Sequence, residues 1–116
     1  MIISDSFTFS VNGDVCDIVT HSYLPTERLK SLLDFVFRTY APIAAIAQSI
    51  GNNSYTYTIA QSGDAVDVLR LLQILGRYET GWNLSDGIIF SPRPSNIRPT
   101  TLKQAIGTAR MAVPHQ

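Results

Sequence analysis

Asn12-Gly13 stands between two alternating runs, SDSFTFSV and DVCDIVTHSY, and it constrains the fold more than any other short feature. A two-residue turn with positive φ at both central positions joins antiparallel strands without splaying them, and Asn-Gly is the pair that tolerates it. The expected register places Val11 opposite Asp14, Phe9 opposite Cys16 and Phe7 opposite Ile18. Phe7, Phe9, Cys16 and Ile18 then share an apolar face, while Thr8, Ser10, Val15 and Asp17 share the other.

Helical periodicity follows over residues 25–40, PTERLKSLLDFVFRTY. Pro25 suits the first helical position and Glu27 the positive end of the dipole. Leu29, Leu32, Leu33, Val36 and Tyr40 form an apolar stripe, and Glu27, Lys30, Ser31, Asp34 and Arg38 form the wet face. Pro42 ends this helix. The run PIAAIAQSIG reads as a second short helix with Ile43, Ile46, Ala47 and Ile50 inward and Gly51 as its cap. SYTYTIA alternates and is rich in β-branched and aromatic residues, so it reads as a strand with Tyr55, Tyr57 and Ile59 on one face.

The segment SGDAVDVLRLLQILGRY predicts a helix capped by Ser62 or Asp64 and stopped at Gly76. Only Asp67, Arg70, Gln73 and Arg77 make it polar, along one narrow stripe. A helix this apolar is either central to the domain or partly covered by a second copy. Leu71 and Ile74 are the residues expected to mediate self-association. Beyond it, YETGWNLSDGIIFSPR holds one or two strands, GIIF being the firmer, with Asp86-Gly87 as an available turn. SPRPSNIRP is a loop with three prolines. TTLKQAIGTARMAV closes the chain as a helix with a Thr101/Gln104 capping box and with Leu102, Ile106 and Ala109 inward. The expectation is one α+β domain over residues 1–116: an N-terminal hairpin plus one or two further strands in an antiparallel or mixed sheet, packed by three to four helices, in the order ββ-αα-β-α-β-α.

Composition narrows the function classes. Nine basic residues balance nine acidic ones, so no general field draws in nucleic acid or an anionic membrane. The one cysteine excludes an internal disulfide. The N-terminal residues lack the pattern of a secretion signal, and no apolar run is long enough to span a bilayer, which places the chain in the cytoplasm.

A helix-turn-helix over residues 42–60 is one route to nucleic acid, and the Arg93/Arg98 loop is the other. The second helix of the motif would be NSYTYTIAQS, which is poor in helix propensity and offers no basic residue to phosphate or base edges. Cys16 and His21 lie five residues apart on one strand and point to opposite faces, so they make no dyad. No cofactor, metal or catalytic set is expected. Asp64 and Asp67 suit helix capping better than acid–base chemistry. The loop with Arg93 and Arg98, followed by a helix start at Thr100 and Thr101, fits an anion or a carboxylate on a partner. Tyr78 and Trp82 are candidate interface anchors. In size, apolar content and lack of a catalytic set, the chain resembles small accessory proteins of phages and mobile elements. These readings favour a non-enzymatic protein-binding, inhibitor or adaptor domain that occludes or bridges a partner, with a homodimer expected. A nucleic-acid-binding regulator is the alternative, and a small enzyme with an unrecognised site the second.

Overall fold

The computed structural model describes residues 7–21, 24–51 and 54–110. Three hairpins each lead into a helix: β1 (Phe7–Asn12), β2 (Val15–Thr20) and α1 (Thr26–Thr39); β3 (Ile43–Gly51), β4 (Ser54–Gln61) and α2 (Val68–Tyr78); β5 (Asn83–Ser85), β6 (Ile88–Phe90) and α3 (Pro99–Ala109). The strands form one six-stranded mixed sheet in the order β1-β2-β3-β4-β6-β5. All neighbours are antiparallel except β2 and β3. That pair is parallel because α1 carries the chain back across the sheet between them.

The α+β class holds, with three helices among the described residues. The second short helix expected over residues 43–51 is instead β3, and the helix-turn-helix segment is a β3–β4 hairpin paired from Ile43↔Gln61 to Gly51↔Ser54. The physical reason is that β3 is covered on both faces. Ile43 and Ala45 join a core under α2 and α3, whereas Ala44 and Ile46 join a core under α1. A strand buried on both faces is apolar throughout and loses its two-residue period. The alanines' helix propensity then yields to tertiary packing.

The first hairpin forms with a different register. Val11 pairs with Cys16, Phe9 with Ile18 and Phe7 with Thr20. Gly13, at φ 61°, is the left-handed residue, and Asn12 keeps a negative φ as the last residue of β1. The turn is therefore Gly13-Asp14, with glycine at the first central position. The shift is two residues, so Phe9, Cys16 and Ile18 keep their expected face. At the other hairpin Asp86 (φ 53°) and Gly87 (φ 77°) are both left-handed, the geometry first expected of Asn12-Gly13.

Helix α2 starts later and ends later than the sequence suggests. Asp67 is its cap, accepting from Arg70 N–H at 3.1 Å. The residues before it are held elsewhere: Val66 N–H donates to Gln61 Oε1 at 2.7 Å, and Asp67 N–H to the Ala109 carbonyl at 2.9 Å. Gly76 lies inside the helix, which ends at Tyr78. In α3, Pro99 takes the first helical position after Arg98, and no side chain caps the helix, so the Thr101/Gln104 box does not form. Lys103 meets Asp17 at 3.5 Å and Arg110 pairs with Asp14, so ion pairs join α3 to β2 and to the β1–β2 turn.

Two buried acidic groups predict alkaline lability. Burial, then the Asp17 carboxylate, raises the Cys16 thiol above its ordinary value. Burial, then Tyr55 and Glu79, raises the Tyr57 phenol, whose Oη donates to the Ile97 carbonyl at 3.0 Å. A group with a raised folded-state pKa contributes stability that is full below its unfolded value and lost as pH rises through the folded one. The urea midpoint is therefore expected to hold up to about pH 8, then fall as pH passes the ordinary thiol and phenol values near ~8.5 and ~10. A midpoint unchanged into the phenol range would contradict this.

Candidate functional site

The proline-rich loop is fastened by one residue, Glu79. Its carboxylate accepts from Trp82 Nε1–H at 3.0 Å, from Ser95 Oγ–H at 2.7 Å and from Asn96 N–H at 2.5 Å. Ser91 N–H and Ser95 N–H donate to the Tyr57 and Tyr55 carbonyls at 3.0 and 2.9 Å, so the loop continues along β4 after β6 ends. Trp82 stacks on Tyr57, with ring centroids 6.4 Å apart and planes 8° from parallel. Glu79 cannot be singled out in the sequence, because its donors come from positions 3, 16 and 17 residues away.

The structure separates the residues expected to form a binding loop. Arg93 borders a cavity between α1 and β6, on the sheet face that α1 covers. Arg98 and Thr101 border a different one, beside Tyr78 and Glu79 at the end of α2. The two arginines therefore do not converge on one anion. Thr100 is exposed in the first turn of α3, Tyr78 is exposed, and Trp82 is half-buried against the core. Leu71, expected at a self-association surface, is 0% exposed and packs inside the protomer, while Ile74 is half-buried in the same core. The aliphatic residue that α2 presents to solvent is Leu69, 62% exposed, as is Tyr78 at its end.

A different surface gathers exposed apolar side chains. Phe9 on β1 lies 5.5 Å from Tyr40, and Phe35 on α1 meets Tyr40 edge to face at 5.7 Å. Phe35 is 48% exposed, Tyr40 42%, and Val11, on the same face of β1 as Phe9, 44%. Beside them runs the outer edge of the sheet, because among the described residues β1 has a neighbour on one side only. Natural edge strands are blunted by charge, proline, a bulge or brevity. The opposite edge, β5, is three residues long. β1 is six residues, FTFSVN, with no charge and no proline, and its pairing to β2 is unbroken.

No family model matches this chain. Nor does any curated protein or solved structure match it significantly.

The exposed Asp34–Arg38 ion pair flanks Phe35 on α1, and the carboxylate's hydrogen bond and charge raise the guanidinium pKa further. Such a pair contributes little to stability and leaves the aromatic cluster bordered by balanced charge. Among the described residues no helix is long and apolar enough to cross a membrane, and no group of three or more His, Cys, Asp or Glu residues is placed to hold a metal. The sequence hid the aromatic surface for a local reason: Tyr40 falls on the inward stripe of α1 by spacing, but it lies at the C-terminal cap and turns outward.

Proposed function

We propose that this chain is a non-enzymatic protein-binding domain that bridges partners, and that it does so as a homodimer joined along β1. The observation that carries the reading is the edge of β1, unpaired on its outer side among the described residues, beside the cluster of half-buried Phe9 with exposed Tyr40 and Phe35. An unpaired edge offers a row of N–H and C=O groups to another strand. The pattern of β1 suits its own copy. In an antiparallel pair, directly opposite residues share a face. Pairing about a twofold axis at Ser10 sets the apolar positions Phe9 and Val11 across from each other, and the polar positions Thr8 and Asn12 likewise. No charge lies on β1 to meet its own sign at the axis, and the net charge of the chain is zero. The same operation brings two aromatic clusters together on one side of the joined sheets, as an isologous contact requires. Every other surface is then displayed twice, which is what bridging needs.

Multi-angle light scattering tests the reading. Wild type is expected to elute with the dimer mass at high micromolar concentration. Val11→Lys places like charges near the axis at an exposed position, and is expected to weaken the dimer by about tenfold or more with an unchanged circular dichroism spectrum. A wild type that stays monomeric at high micromolar concentration would overturn the dimer.

A further inference from the structure

Across α1 from the aromatic cluster, on the same sheet face, a cavity of about 470 Å³ lies over β4 and β6. Its floor is polar yet buried: Gln48, Thr56, Thr58 and Ser91 are all shielded from bulk solvent. Leu29 and Leu33 of α1 wall one side and Phe90 of β6 the other, with Lys30 and Arg93 at the mouth beside Asp86.

The floor's hydrogen bonds among the described residues leave specific atoms open. Gln48 Oε1 accepts from Leu24 N–H at 2.8 Å, which fixes the side-chain amide with its NH₂ toward the cavity. Ser91 Oγ accepts from Tyr57 N–H and gives its single hydrogen to the Pro92 carbonyl, both at 2.8 Å. The 3.0 Å contact between Thr56 Oγ1 and Ser91 Oγ is therefore donated by Thr56, whose lone pairs stay open. Gln48 Nε2 and Thr58 Oγ1 have no protein partner among the described residues. No fully buried side-chain nitrogen or oxygen described lacks a partner, so both atoms reach the cavity. The floor thus offers an NH₂ donor, a hydroxyl that can donate or accept, and an acceptor, side by side.

We propose that this cavity binds a small planar heterocycle with an amide-type donor–acceptor edge and one anionic substituent, the chemistry of a nucleoside monophosphate. The volume lies in the range of small-molecule sites. A hydrocarbon ligand would strand Gln48 and Thr58 without partners, which is costly. A ring edge bearing both a carbonyl and an N–H satisfies the amide, the Thr58 hydroxyl and the Thr56 lone pairs together, while its faces lie against the leucines and Phe90. The Lys30 ammonium lies at the mouth, and the floor carries no charge, which places the anionic group at the mouth and not on the floor.

Titration of ¹⁵N-labelled protein with AMP, GMP, CMP and UMP, and with the four parent nucleosides, tests this directly. At least one base is expected to move the Gln48 side-chain NH₂ resonances saturably, with the monophosphate binding more tightly than its nucleoside. Lys30→Ala is expected to shrink that preference, weakening the monophosphate more than the nucleoside. Thr58→Val, which keeps the shape and removes the hydroxyl, is expected to weaken both by about tenfold. The proposal is overturned if none of the eight compounds moves the Gln48 amide at millimolar concentration. It is equally overturned if a folded Thr58→Val binds as wild type does. Should Thr58→Val not fold, the wild-type titration decides alone.

Discussion

Leu71→Glu is expected to abolish the cooperative folded state. Leu71 is fully buried on α2 in the cluster that includes Ile43, Ile89 and Ile106. The cluster's one polar side-chain group, the Tyr57 hydroxyl, already donates to the Ile97 carbonyl. A carboxylate placed there loses its hydration and gains no donor, at several kcal/mol even after relaxation. The lost leucine packing adds about 2–5 kcal/mol. Together these approach or exceed the ~5–15 kcal/mol that holds a domain of ordinary stability together. The milder Leu71→Ala should fold with about 2–5 kcal/mol less stability. Leu69→Glu, two residues away at an exposed position, should stay within about 0.5 kcal/mol of wild type. Circular dichroism melts on the three variants separate these cases. A Leu71→Glu protein that melts cooperatively as a monomer would return Leu71 to a surface between copies.

The contrast between Leu71 and Leu69 also shows where sequence reading reaches its limit. Period alone identified the helix and its polar stripe of Asp67, Arg70, Gln73 and Arg77, all of which are exposed. It could not say which of the remaining apolar residues face the sheet, because that depends on where α3 lies. The strand over SYTYTIA was legible, since alternation and propensity agree there, and Tyr57 and Ile59 are buried on the expected face. PIAAIAQSI was not, because a strand covered on both faces carries no period to read. Binding features were hidden for a related reason. Thr56 and Thr58 have the spacing of a solvent-facing strand surface, yet they floor a cavity between α1 and β6. The aromatic cluster needs β1 at the sheet edge and α1 beside it, which is a fact of topology. Arg93 and Arg98 were conspicuous as a sequence pair, but the loop turns enough between them to send each to its own cavity.

Glu79→Ala is the second large effect, because it releases that loop. One carboxylate accepts from Trp82, Ser95 and Asn96, and hydrogen bonds to a charged acceptor contribute roughly 1.5–3 kcal/mol each. They share an acceptor and are not additive, so the expected loss is on the order of 3 kcal/mol. Glu79→Gln keeps the volume and one acceptor oxygen but turns an NH₂ toward at least one of the three donors, so it should lose about half as much. Trp82 is the chain's one tryptophan, which gives the prediction a local readout. Without its indole partner, emission from folded Glu79→Ala should shift to the red, and thermal unfolding should move down in parallel. The loop also carries Ile97, part of the core, and holds Arg93 at the cavity mouth. Affinity for an anionic ligand in the cavity should therefore fall in Glu79→Ala, although no atom of Glu79 lines it. Unchanged emission together with an unchanged melting temperature would show that the backbone bonds to Tyr55 and Tyr57 hold the loop without the carboxylate.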